Sequence, residues 1–107
     1  MKLHFERTGG LAGLKLSVSM DPDSLGPDAA SKLRALLDKA GFFDLPPVLR
    51  GPSPGPDRFR YKVTIETAGM RHTVDMDEAA MPESVKPLVD WLLDQARRLR
   101  RAPDPSV

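Results

Sequence analysis

Residues 58–66 alternate without a break. Phe59, Tyr61, Val63 and Ile65 fall on one side, and Arg58, Arg60, Lys62, Thr64 and Glu66 on the other. A period of two over this length predicts a strand with one apolar face, and that face must find a second layer to cover it. The same period returns in three other places. Leu3 and Phe5 alternate with Lys2, His4 and Glu6. Leu14, Leu16, Val18 and Met20 alternate with Lys15, Ser17 and Ser19. Met70, His72, Val74 and Met76 alternate with Arg71, Thr73 and Asp75.

Glycine joins these segments into two hairpins. Gly9, Gly10 and Gly13 lie between the first two strands, and Thr67-Ala68-Gly69 turns the chain between the last two. Glycine reaches the positive φ angles that such tips need.

A helical stripe follows each hairpin. After the turn residues 21–27, Ala29, Leu33, Leu36, Leu37 and Ala40 recur at helical spacing and predict a helix over 28–40. Gly41 stands where a left-handed terminator belongs. Phe42, Phe43 and Leu45 stay apolar and are expected under the sheet edge. The second stripe, Val85, Leu88, Val89, Leu92, Leu93, Ala96 and Leu99, predicts a helix over 85–100. With Ser84 as N-cap, Pro87 falls at the third helical position, where its missing N–H has no intrahelical partner to lose.

The order is therefore β-β-α-β-β-α, an α+β fold. It predicts a four-stranded antiparallel sheet with both helices packed on one face. Residues 1–101 are expected to form a single α+β domain, with 102–107 a disordered C-terminal tail. Residues 46–57 hold five of the eleven prolines and two glycines, so they fit neither a helix nor an inner strand. A loop of that length in a small domain is usually functional or disordered. Tracing the directions of the elements brings three connections to one end of the sheet: the Gly9–Gly13 tip, the 46–57 loop and the 77–81 segment.

Composition excludes several functions. With 107 residues the chain fits one domain. It buries roughly 60–70% of its unfolded surface, enough for a core without a metal or disulfide. Cysteine is absent, which removes disulfides, thiolate nucleophiles and zinc-thiolate sites. No segment approaches the ~20 apolar residues of a membrane span. The start Met1-Lys2-Leu3-His4 has no apolar run behind it, so the expectation is a cytoplasmic protein without a membrane partner. Sixteen basic residues against fifteen acidic ones, net +1, give no electrostatic case for nucleic acid.

Neither catalysis nor a cofactor is expected from the side chains. His4 is predicted to face outward, and His72 to lie at the rim of the apolar face as a hydrogen-bonded residue. No spacing suggests a metal ligand set or a catalytic triad. The glycine-rich tip runs into a strand, and a phosphate cradle needs a helix there. Leu11 at its apex either reaches out or folds back onto the core. The basic residues of the outward face lack the aromatics that stack bases, since Phe59 and Tyr61 point the other way. Trp91 is expected to flank the core.

Several segments in order resemble the emfourin family of small protein inhibitors of thermolysin-like metallopeptidases. They are Phe5-Glu6-Arg7-Thr8-Gly9-Gly10-Leu11-Ala12-Gly13, Gly41-Phe42-Phe43-Asp44-Leu45-Pro46, Pro56-Asp57-Arg58-Phe59-Arg60-Tyr61, Arg71-His72-Thr73-Val74, and Met81-Pro82 leading into Leu88-Val89-Asp90. The likeness spans residues 1–95. It implies a bacterial cytoplasmic protein that blocks a zinc metalloprotease; the chain itself is expected to be a monomer or weak dimer. The loop end then supplies the candidate binding residues Gly9, Gly10, Leu11, Ala12, Gly13, Val48, Leu49 and Arg50. Thermolysin-like enzymes accept a bulky apolar side chain just after the cut bond, a place that Leu11 fits. A regulatory protein–protein interaction domain is the alternative reading, and a nucleic-acid binder a weaker one.

Overall fold

The computed structural model describes residues 1–9, 15–50 and 59–101. Strands β1 (Lys2–Gly9) and β2 (Leu16–Met20) precede helix α1 (Pro27–Ala40). Strands β3 (Val48–Leu49), β4 (Phe59–Thr67) and β5 (Met70–Asp77) precede helix α2 (Lys86–Arg101). Short 3-10 turns at Pro22–Leu25, Phe42–Asp44 and Glu78–Ala80 join them.

The sheet corrects one expectation. It has five strands in the order β2-β1-β4-β5-β3, and β3 runs parallel to β5. The sheet is therefore mixed, not four-stranded and antiparallel. The extra strand comes from the proline-rich segment. Pro46 and Pro47 hold the chain extended, and the Pro47 carbonyl accepts the Asp75 N–H at 2.8 Å. That bond seats Val48 beside Asp75 and Leu49 beside Met76. Proline is tolerated because β3 is an edge strand.

The four other strands pair antiparallel as their alternation requires. Phe5 lies between Val18 and Val63, and Val63 faces Val74. Their inward side chains meet the helices in one core containing Leu3, Phe5, Leu33, Leu37, Phe42, Val63, Ile65, Val74, Met76, Val85, Leu88 and Leu92. The helices cover that face, and the other face carries the polar alternates.

Local chemistry fixes the helix ends. Pro27 opens α1, and Gly41 closes it in the left-handed region at φ 60°, its N–H bonded to the Asp38 carbonyl at 3.1 Å. Leu33, Leu36, Leu37 and Ala40 are buried as predicted, and only the first member of the stripe differs, Ala30 being buried and Ala29 half-buried. Phe42 is buried, but Phe43 is 38% exposed and not tucked under the sheet. In α2 the first helical bond runs from the Val89 N–H to the Val85 carbonyl. Val85 rather than Ser84 thus holds the cap position, and Pro87 is the second helical residue. Trp91 is half-buried and packs against the core. The tail residues 102–107 lie outside the described residues, and among those described no helix is long and apolar enough to cross a membrane.

Candidate functional site

Register gathers distant parts of the chain at one end of the sheet. Gly9, the last residue of β1, faces Phe59, the first of β4. Arg60 faces Asp77, the last residue of β5. Arg50 follows Leu49 where β3 leaves the same end. The Glu78–Ala80 turn begins there too. The predicted gathering of three connections is present in these strand ends.

Among the candidate binding residues, Gly9 takes φ 100°, a conformation that favours glycine. Val48 is 48% exposed, Leu49 leans against the core, and Arg50 is exposed. Gly10, Leu11, Ala12 and Gly13 lie outside the described residues.

An aromatic cluster stiffens this end. The Arg7 guanidinium sits over the Phe59 ring, 4.5 Å from its centre. Phe59 leans on Tyr61 at 6.4 Å, and Tyr61 stacks on Phe5 at 6.3 Å. Burial pushes the Tyr61 phenol above its ordinary pKa, and the negative charge of Glu78 adds to this. Arg7 partly offsets both, as a nearby positive charge and as a hydrogen-bond donor. On the open face Arg60 reaches diagonally across to Asp75, at 3.2 Å. That pair lines a shallow hollow of about 160 Å³ together with Glu6, Thr8, Tyr61 and Lys62.

Arg7 is not among the candidate residues that the sequence suggests. Its signal was available: Arg7 continues the inward register of Leu3 and Phe5. A cation on the apolar side of a strand end, two residues before a glycine, needs an aromatic or acidic partner.

The histidines lie away from this end. His4, on the open face, donates from Nε2 to the Glu6 carboxylate at 2.9 Å and meets the Ser19 hydroxyl at 2.6 Å through Nδ1. His72 donates from Nε2 to the Leu45 carbonyl at 2.9 Å and packs edge-on against Phe42. Both act as structural hydrogen-bonding groups. Among the described residues no cluster of three or more His, Asp or Glu side chains is placed to hold a metal ion.

The arrangement is a braced strand end with a half-buried glycine beside exposed valine and arginine, suited to contact with another macromolecule. The emfourin family model matches residues 5–93. The chain belongs to the emfourin family. Emfourins are an inhibitor family, which points to a protein partner. No curated protein and no solved structure matches the chain.

Proposed function

We propose that this emfourin binds a thermolysin-like zinc metalloprotease and blocks its cleft with the loop end of the sheet, in the bacterial cytoplasm. The observation that carries this reading is the convergence of Gly9, Arg50, Phe59 and Asp77 at one end, through three separate strand pairings. A protease cleft is concave, so an inhibitor needs a projecting, preorganised convex edge. Arg7 over Phe59 and the prolines before β3 reduce the ordering cost of presenting such an edge. Glycine at position 9 lets backbone approach backbone closely. Leu11, two residues after Gly9 in sequence, is the residue whose size and polarity suit the pocket behind the cut bond.

The test is titration of a thermolysin-like protease, ideally one encoded beside this chain, following peptide hydrolysis. Wild type abolishes activity at about one inhibitor per enzyme, and Leu11→Asp inhibits far more weakly. Undiminished hydrolysis at excess wild-type protein contradicts the proposal. Equal inhibition by Leu11→Asp removes Leu11 as the anchor.

A further inference from the structure

The two edges of the sheet are built differently. Edge strand β3 is two residues long and bracketed by Pro46, Pro47 and Pro52. Short length and proline are the usual defences against pairing with another chain. Edge strand β2 is longer, five residues, and its flanking proline, Pro22, comes only after the extended Asp21. Its sequence Leu16-Ser17-Val18-Ser19-Met20 lacks proline and charge, and its register against β1 runs unbroken from Leu16 beside Arg7 to Met20 beside Leu3, with no bulge. Asp21 prolongs it in extended conformation, at φ −102° and ψ 111°.

This edge is complementary to itself. When two copies pair antiparallel about a two-fold axis through Val18, residue pairs sum to the same register. Val18 meets Val18, Leu16 meets Met20, Ser17 meets Ser19, and Lys15 meets Asp21. The apolar pairs lie on the helix side, where Leu16 is buried and Val18 and Met20 are half-buried. The serine pairs lie on the open face, where both serines are exposed. The Lys15 and Asp21 side chains are exposed, and the symmetry creates that opposite-charge pair twice. Lys15 has a weak partner in its own chain, Glu6 at 3.5 Å, and Asp21 Oδ1 accepts the Asp23 N–H at 3.0 Å. The Glu6 contact reaches inward onto β1, so Lys15 exchanges it for Asp21 of the second copy when the edges pair.

We infer that β2 pairs with β2 of a second copy of this chain, joining two five-stranded sheets into one continuous sheet across a two-fold axis. Closed two-fold assembly is the commonest form of homo-oligomer, and it requires this kind of self-matching surface. A seam one strand wide is small, so the association is weak and reversible. Antiparallel pairing also sends the two Gly9–Phe59 ends in opposite directions. The dimer therefore leaves both proposed protease-binding ends open, and the inference stands apart from the proposed function.

Sedimentation equilibrium of the full chain from micromolar to millimolar concentration tests it, with circular dichroism to establish that each variant is folded. Wild type passes from monomer to dimer within that range. Lys15→Glu places like charges opposite each other twice and weakens the dimer about tenfold at low salt. Asp21→Lys does the same, and the double variant Lys15→Glu/Asp21→Lys recovers dimerisation. The conservative Lys15→Arg leaves it unchanged. A wild type that stays monomeric at millimolar concentration overturns the inference, as does a folded double variant that fails to recover association.

Discussion

Arg7 and Phe59 lock the ends of the two inner strands β1 and β4 together. They sit on neighbouring strands, and the guanidinium lies 4.5 Å from the ring centre, next to the residue pair Gly9 and Phe59 that closes the β1–β4 ladder. The same guanidinium holds down the phenol pKa of Tyr61 beneath it. One side chain thus connects the buried aromatics to the exposed end that we propose to enter a protease.

Removal of that side chain has two expected signatures. Arg7→Ala destabilises the fold by about 1 kcal/mol, the value of a half-desolvated cation–ring contact. It also raises the Tyr61 phenol pKa further, because burial and Glu78 are then unopposed. Urea denaturation measures the first, and ultraviolet titration of this single tyrosine the second.

The β4–β5 turn carries backbone strain at Ala68. Ala68 and Gly69 both have positive φ, 45° and 81°, the signature of a tight hairpin turn that favours Asn-Gly. Alanine reaches that region at a cost that asparagine largely avoids. Ala68→Asn should therefore stabilise the protein by about 0.5–1 kcal/mol, read as a raised urea midpoint with an unchanged slope.

His72 ties the chain after α1 to β5. Its Nε2–H reaches the Leu45 carbonyl, and its ring meets Phe42 edge-on at 5.3 Å. His72→Ala leaves that carbonyl without the donor and opens space against Phe42, an expected loss of about 2 kcal/mol. The segment that follows carries Pro47, whose carbonyl accepts the Asp75 N–H. Exchange of the Asp75 amide is therefore expected to accelerate more than exchange in the β1–β4 ladder.

Glu6 gives the pH dependence a sign. Its carboxyl is held below the ordinary value of 4.5, chiefly by the hydrogen bond from His4; burial pushes it upward as the next cause, and the charges of Lys15 and His4 lower it again. A depressed carboxyl stabilises the folded state above the unfolded pKa and loses that contribution as pH falls through the folded one. Glu6→Gln should thus be less stable than wild type above pH 4.5, with the gap closing at lower pH. Denaturation midpoints of both proteins across this range check it.

Much of the fold was legible because its code is local. Period-two alternation marked β1, β2, β4 and β5, and Gly41 marked the end of α1. The elements that escaped depend on distant partners. Val48 and Leu49 are too few to show a period, and they become a strand through the Pro47 carbonyl and β5. The placement of Pro87 differed by one position because the first helical bond, from Val89 to Val85, is set by how α2 docks. For the candidate site, connectivity was enough to bring Gly9, Arg50 and Asp77 to one end. The pairing of Arg7 with Phe59 was not foreseen, since the two are 52 positions apart and meet only through the β1–β4 register.

Hydrogen–deuterium exchange of the chain, free and bound to a thermolysin-like protease, tests most directly whether the loop end is the inhibitory surface. Protection is expected in complex over residues 7–14, 48–60 and 77–81, with residues 21–27 and 67–70 at the opposite end unchanged. Protection confined to the far end, or to the open face of the sheet, would contradict it.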